Sequence, residues 1–189
     1  MKRLAVYCGS SMGVNDAFAE AAHALGTDMA RRGIGLVYGG GRLGLMGVVA
    51  DAVLGAGGEA FGVIPQALID LEVAHTGLTE LHVVQTMHER KARMTDLTDA
   101  FLALPGGIGT FDELFEAWTW NALGYHAKPF GLLNVARFWD GMVAFLDTAT
   151  ASGFMSAARR AQLLVADSIG EAIDGLDART RASEKQMVW

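Results

Sequence analysis

The stretch Pro105-Gly106-Gly107-Ile108-Gly109-Thr110-Phe111-Asp112-Glu113 places three glycines directly before a hydroxyl and a carboxylate. Glycine lets the backbone approach a ligand closely, and the N–H groups at a helix start favour an anion. Thr110 and Glu113 also fit a T-x-x-E capping box, in which both side chains only cap the helix. Alternatively, Glu113 stands in a pocket, where its carboxylate would stabilise an oxocarbenium ion or activate water. The spacing supports the two interpretations equally.

Two other strand ends are followed by glycines or small residues, at Gly9-Ser10-Ser11 and at residues 39–47. The second contains Gly39-Gly40-Gly41-Arg42-Leu43-Gly44, a formal G-x-G-x-x-G match. It lacks the acidic residue expected about 20 positions further on, at the end of the next strand, since no carboxylate precedes Asp70 there. Two glycine loops that each run into a helix favour a nucleotide or sugar phosphate over simple tight turns. The phosphate or pocket candidates are Ser10, Gly40, Gly41, Met87 and Gly106.

Positive charge is concentrated in His88-Glu89-Arg90-Lys91-Ala92-Arg93. An arginine there can hold a phosphate in a bidentate manner or donate to a leaving base. The alternative interpretation is a solvated helix face. Met87 and Met94 are seven residues apart, so they share a helix face and are expected in the core or in a pocket wall.

The remaining reactive residue types give weaker signals. The five histidines form no H-x-x-x-H or H-E-x-x-H motif, so we expect no metal site built by the protein and no metal or redox cofactor. The single cysteine, Cys8, cannot form an internal disulfide. At the end of an apolar strand it is expected to be a buried small residue rather than a nucleophile.

Short apolar runs alternate with amphipathic stretches, which predicts βαβ units, a doubly wound and mostly parallel sheet, and helices on both faces. Strands are predicted at residues 4–8, 34–38, 60–64, 81–84, 100–104, 130–134 and 163–166. Helices are predicted at residues 15–32, 45–56, 87–97, 111–123, 139–151 and 169–178. We expect one domain over residues 1–189, with a loose tail from about residue 179.

Composition and charge limit the classes of protein to which this chain can belong. The chain has 189 residues, of which 51% are hydrophobic, so it can bury a sizeable core. Its net charge of −6 argues against a nucleic-acid partner. No apolar run approaches the ~20 residues that span a bilayer, and the first is too short for a signal peptide. We therefore expect a cytoplasmic protein that does not contact a membrane.

The glycine motif at residues 105–113 and the Arg-Lys element Met87-His88-Glu89-Arg90-Lys91 together resemble the LOG ("Lonely guy") family. The members of this family are the cytokinin riboside 5′-monophosphate phosphoribohydrolases. The resemblance extends over nearly the whole chain. It includes Val6-Tyr7-Cys8-Gly9-Ser10-Ser11, Tyr38-Gly39-Gly40-Gly41, Gly44-Leu45-Met46-Gly47, Glu72-Val73-Ala74-His75, Gly77-Leu78-Thr79-Glu80-Leu81 and Leu123-Gly124-Tyr125-His126-Ala127-Lys128-Pro129. It implies a Rossmann-like fold, a homodimer, and hydrolysis of a nucleotide to free base and ribose 5-phosphate.

The same resemblance implies roles for individual residues. Arg90 and Glu113 would be the catalytic pair. The substrate-binding residues would be Glu72, Arg90, Lys91, Gly107, Ile108, Gly109, Thr110, Phe111, Asp112, Glu113 and Thr119. Ala122 departs from the family, whose members often have glutamine there, so the preferred base stays open between adenine and N6-substituted adenine.

Two other functions compete with the hydrolase. A non-catalytic nucleotide or cofactor carrier would use the same glycine loops, but binding alone would not require both Arg90 and Glu113. A pyridoxal-phosphate decarboxylase is poorly supported, since the chain is short for such an enzyme and has four lysines.

Overall fold

The computed structural model of the protein describes residues 1–69 and 73–186, so Glu72 lies outside the described residues. In the described part of the chain, seven strands form one sheet, and every neighbouring pair is parallel. The strands are β1 (Arg3–Tyr7), β2 (Gly35–Tyr38), β3 (Ala60–Pro65), β4 (Glu80–Val84), β5 (Ala100–Ala103), β6 (Phe130–Leu133) and β7 (Leu163–Ala166). The order across the sheet is β4-β3-β2-β1-β5-β6-β7, which confirms the predicted fold class.

Helices cover both faces of the sheet. They are α1 (Asp16–Arg31), α2 (Gly44–Gly55), α3 (Met87–Leu97), α4 (Ile108–Ala122), α5 (Asp140–Ala151), α6 (Ala157–Gln162) and α7 (Ile169–Gln186). Successive strand residues face opposite sides, so the apolar strands supply two cores. Leu4 and Val6 pack with α1, α2 and α7, whereas Ala5 and Tyr7 pack with α3, α4 and α5.

The strand order reverses beside β1. From β1 the sheet grows through β2, β3 and β4 on one side, and through β5, β6 and β7 on the other. Two neighbouring turns therefore leave the sheet at this switch point, where doubly wound proteins bind ligands. The turns contact each other directly, because Gly9 N donates to Pro105 O at 3.1 Å.

Helix starts follow local capping chemistry. Asn15 Oδ1 accepts from Ala17 N at 3.0 Å, which confirms the predicted start of α1. Thr86 Oγ1 accepts from Glu89 N at 3.1 Å, and Glu89 Oε2 accepts from Gln85 N at 2.7 Å, so a T-x-x-E pair caps α3. Of the two interpretations of Thr110 and Glu113, the capping box is wrong, because α4 has Gly107 as its N-cap and no side-chain cap. Helix α4 begins three residues earlier than predicted, at Ile108 after Gly107, which puts Thr110 inside the helix.

The C-terminal part of the chain is more regular than predicted. The six-residue helix α6 was not expected from the sequence. The predicted loose tail from residue 179 is wrong over its described part, since α7 continues to Gln186. Thr180 is buried in this extension, and its hydroxyl donates to Leu176 O at 2.9 Å. Among the described helices, none is both long and apolar enough to cross a bilayer.

Candidate active site

A cavity of about 340 Å³ opens at the switch point, above the carboxyl ends of β1 and β5. The turns after these two strands form part of its wall, and residues of α2, α3, α4 and the short turn after β3 complete it. It is lined by Cys8, Gly9, Ser10, Ser11, Met46, Leu68, Met87, Arg90, Gly107, Ile108, Gly109, Thr110, Asp112 and Glu113. The fold thus joins the glycine motif and the Arg-Lys element, which are distant in the sequence.

Arg90 is buried, with only 4% of its surface exposed. Its Nε donates to Val63 O at 3.1 Å, and its Nη2 donates to Gly39 O at 2.8 Å. Two carbonyls, one within β3 and one directly after β2, therefore fix the guanidinium plane. The interpretation of the basic run as a wholly solvated helix face is wrong, because Arg90 points inward while His88 and Arg93 remain exposed.

The first turn of α4 presents N–H groups without a side-chain cap at Gly107. The first backbone bond of this helix is donated by Phe111 N to Gly107 O, at 3.1 Å. The preceding N–H groups, of Ile108, Gly109 and Thr110, belong to the turn that has no carbonyl partner within the helix. A helix start of this kind, bordering a cavity, is suited to an anion.

Glu113 lies one turn further along α4 and lines the same cavity. Burial and the negative charge of Glu113 raise the pKa of the Cys8 thiol far above its usual value. The same two causes, with a smaller contribution from Glu116, raise the pKa of Tyr7. Cys8 is buried, as predicted, and it is a neutral thiol at the base of the cavity rather than a thiolate.

Lys91, beside Arg90 in sequence, has its ammonium group between two carboxylates of α4. Its Nζ lies 2.5 Å from Glu116 Oε2 and 3.1 Å from Asp112 Oδ2. Burial lowers the pKa of Lys91, but the hydrogen bonds and charges of Glu116 and Asp112 outweigh burial and raise it overall. These two ion pairs of Lys91 link α3 to α4.

Other predicted site residues occupy different surroundings. Phe111 packs edge-on against Trp139, with ring centroids 5.7 Å apart, in the core beneath α4 and α5. Thr119 is exposed near the end of α4. Gly40 and Gly41 contact residues 74 and 75 of the β3–β4 connection. Gly106 lines a smaller adjoining cavity of about 210 Å³.

Sequence analysis missed five residues of the cavity wall: Cys8, Gly9, Ser11, Met46 and Leu68. Cys8 and Gly9 directly follow β1, which was the available signal for them. Ser11 and Met46 belong to motifs noted there, and their positions after β1 and at the start of α2 were the available signal. Leu68 lies in the short 3₁₀ turn Gln66–Leu68 after β3, and nothing in its sequence context indicated a role. In the described residues, no group of three or more His, Cys, Asp or Glu side chains could hold a metal ion.

Fold and cavity together are typical of α/β proteins that bind phosphorylated ligands at a switch point. A family model described as "Possible lysine decarboxylase" matches residues 46–176. Cytokinin riboside 5′-monophosphate phosphoribohydrolase LOG of Oryza sativa subsp. japonica is 44% identical over 188 residues, covering 100% of this chain and 78% of that protein. Cytokinin riboside 5′-monophosphate phosphoribohydrolase of Rhodococcoides fascians is 45% identical over 173 residues, covering 91% and 87%. The chain therefore belongs to the LOG family.

Solved structures add a likeness in fold. The molybdenum cofactor carrier protein of Chlamydomonas reinhardtii aligns with a TM-score of 0.71 at 19% identity, covering 95% of this chain and 98% of that one. The molybdenum cofactor binding protein of Rippkaea orientalis gives 0.71 at 20% identity, covering 93% and 95%. At such identities the comparison shows the shared fold alone.

Proposed function

We propose that this protein hydrolyses the N-glycosidic bond of adenine-type nucleoside 5′-monophosphates, releasing the free base and ribose 5-phosphate. One observation is central to this proposal: Arg90, Glu113 and the first turn of α4 line a single cavity at the switch point. An anion site, a fixed cation and a carboxylate are what such a reaction needs. Relatives about 44% identical are named as phosphoribohydrolases of cytokinin riboside 5′-monophosphates, which supports the same reaction.

The phosphate of the substrate binds at the start of α4. Its negative charge faces the N–H groups of Ile108, Gly109 and Thr110, and the helix dipole adds to the attraction. Ser10, on the opposing turn after β1, is within the same cavity and offers a hydroxyl donor. Binding at this point holds the ribose one helical turn from Glu113.

Glu113 acts on the ribose. As the C1′–N9 bond breaks, its electron pair moves to the base and positive charge develops on the ribose ring. The carboxylate of Glu113 stabilises this charge and orients the water whose oxygen bonds to C1′. One water proton is released to the base, so the products are neutral base and ribose 5-phosphate.

Arg90 acts on the leaving base. Its guanidinium offers N–H donors and no acceptor, so it stabilises the departing nitrogen by hydrogen bonding. The two carbonyl contacts hold the group rigid, which lowers the reorganisation needed at the moment of bond cleavage. One carboxylate and one arginine thus replace the two carboxylates of common glycosidases.

The placement of lysines disfavours a pyridoxal-phosphate decarboxylase. Lys91 is paired with Glu116 and Asp112, and Lys128 Nζ donates to Thr95 O. Among the lysines whose side chains the structure describes, none lines the cavity. A Schiff-base lysine requires an accessible amine beside the reacting carbon.

We also propose a homodimer in the cytoplasm. The apolar side chains Phe115, Leu123 and Tyr125 are exposed on and just after α4, which supports an interface there. Size-exclusion chromatography with light scattering tests this proposal. The chain mass is 20.0 kDa, so a measured mass of that value at every protein concentration would contradict the dimer.

Product analysis tests the reaction. The protein is incubated with AMP and, separately, with isopentenyladenosine 5′-monophosphate, and free base is separated by chromatography. We expect wild type to release base and Glu113→Gln to be slower by about 10²–10⁴-fold. The exposed carboxylate of Glu20 on α1 provides a matched control, since Glu20→Gln removes the same charge at a residue that does not line the cavity.

The result also separates the remaining alternatives. The ratio between the two nucleotides ranks adenine against N6-substituted adenine as the preferred base. Tight nucleotide binding without any release of base by wild type would instead indicate a non-catalytic carrier.

A further inference from the structure

The β3–β4 connection lies against the β2–α2 loop. Arg42 N donates to Val73 O and His75 N donates to Gly40 O, both at 2.9 Å. These bonds flank an antiparallel bridge between Gly41 and Ala74. The glycine loop therefore has a short β-type partner outside the main sheet, and its position depends on where residues 73–75 are held.

His75 fixes that segment. The side chain is buried, with 6% of its surface exposed, and its Nδ1 accepts from Gly77 N at 3.0 Å. An accepting Nδ1 places the ring proton on Nε2, which donates to Asp51 Oδ1 at 2.9 Å. Asp51 belongs to α2, the helix that follows the glycine loop, so the imidazole joins the β3–β4 connection to that helix, while the backbone of His75 bonds to Gly40 in the loop.

The other side of the same loop contacts Arg90. Gly39 O accepts from Arg90 Nη2 at 2.8 Å, and a Cβ on Gly39 would lie 2.2 Å from that nitrogen. The next residue, Gly40, has φ +78°, a backbone conformation that glycine adopts readily. The backbone therefore turns sharply between Gly39 O, which accepts from Arg90, and Gly40 O, which accepts from His75 N. A shift of the loop would move the guanidinium with it.

We propose that the Asp51–His75 pair is a positioning device for the reaction, which holds the β2–α2 loop so that Gly39 O fixes Arg90. Neither side chain lines the cavity in which the substrate is proposed to bind. The inference rests on the proposed function, because it assigns the pair an effect on turnover through Arg90. Substrate binding depends on the start of α4, so the effect falls on kcat rather than on KM.

Substitutions at Asp51 test the pair with little risk to folding, because its carboxylate is largely exposed on α2. Asp51→Ala removes the acceptor of the Nε2 proton, whereas Asp51→Asn keeps an oxygen that can accept it. We expect Asp51→Ala and His75→Ala to lower kcat for AMP about 10- to 100-fold, the scale of a small misplacement of a catalytic group, with KM changed less than about twofold. Asp51→Asn should keep most of the wild-type kcat.

A second measurement follows the loop itself. Hydrogen exchange of the Arg42 amide, which donates to Val73 O, should accelerate in Asp51→Ala and His75→Ala but not in Asp51→Asn. The matched control is His82→Ala, which removes another histidine–carboxylate pair, with Glu80 at 3.4 Å on β4. It should leave both kcat and Arg42 exchange as in wild type.

Each outcome is decisive. Wild-type kcat in both Asp51→Ala and His75→Ala would overturn the positioning role, as would an equal loss of kcat in His82→Ala or a failure of Asp51→Asn to retain activity. Release of no base by wild type would show instead that the proposed function is wrong, and the positioning role would fall with it. The activity of wild type therefore distinguishes the two failures.

Discussion

Lys91 Nζ lies 2.5 Å from Glu116 Oε2, so one ion pair joins the helix that bears Arg90 to the helix that bears Glu113. Both side chains are mostly buried, and Asp112 adds a second contact at 3.1 Å. Residues adjacent to the proposed catalytic pair thus hold α3 and α4 together. The resemblance to the LOG family implied substrate binding for Lys91, whereas its contacts in the structure are ion pairs that link two helices.

Lys91→Met keeps the apolar stem and removes the charge. We expect the free energy of unfolding to fall by about 1–2 kcal/mol, since Glu116 loses its partner in a mostly buried position. Urea denaturation measures the change. Arg93→Met, on the exposed side of α3, is the control and should shift stability by less than about 0.5 kcal/mol. An unchanged midpoint in Lys91→Met would contradict the assignment.

The contribution of Lys91 also has a defined pH dependence. Its pKa is raised in the folded protein, so the stability it provides is complete below the usual lysine value of 10.5 and is lost as pH rises through the higher folded value. Wild type and Lys91→Met should therefore differ at neutral pH and converge under strongly alkaline conditions.

Gly39→Ala should lower turnover while the protein still folds. The added Cβ would meet Arg90 Nη2 at 2.2 Å, so the guanidinium must move from its position between Gly39 O and Val63 O. We expect kcat to fall about 100-fold, as for a small displacement of a catalytic group. Gly55→Ala, where nothing lies within 4 Å of the new Cβ, provides the control and should retain full turnover. Equal activity in both variants would show that the position of Arg90 is not critical.

The T-x-x-E pattern shows where the sequence was informative and where it was not. It occurs at Thr86–Glu89, where both side chains cap α3, and again at Thr110–Glu113, where neither end of the pattern lies at the helix start. The difference comes from the turn at Gly107, after which α4 begins at Ile108, three residues earlier than predicted. Local spacing cannot reveal that choice, because it depends on how the turn after β5 packs against the turn after β1.

Strand segments were predicted closely because their apolar runs are short and bounded by turn residues, and β7 was predicted without error. The burial of Arg90 was not predictable from the charge run, since it depends on two carbonyls supplied by β2 and β3. The same holds for Leu68, which reaches the cavity only through the chain path after β3. Long-range packing, rather than local pattern, decided these positions.

Ribose 5-phosphate should stabilise the protein, whereas ribose should not. The proposed phosphate site at the start of α4 binds the charged group, and a ligand that binds only the folded state at 100 times its Kd adds about 2.7 kcal/mol. A thermal shift assay with both sugars measures the difference. Equal shifts with ribose and ribose 5-phosphate would mean that α4 does not provide the phosphate site.

His126 should control the acid stability of the fold. Burial, assisted by the positive charge of Lys128, lowers its pKa from 6.5 to about 4. The unfolded chain then binds a proton more readily than the folded one, so the stability contribution is complete above pH 6.5 and is lost progressively as pH falls toward 4.

His126→Asn isolates this effect, because an asparagine oxygen can replace the Nδ1 that accepts from Lys128 N at 3.2 Å. The ring contact with Phe101 is lost, so absolute stability falls, but the decline in Tm between neutral pH and pH 4 should be shallower than in wild type. Replacement of the exposed His23 by asparagine serves as the control and should keep the wild-type slope. Parallel Tm curves for wild type and His126→Asn would show that His126 does not drive the loss of stability in acid.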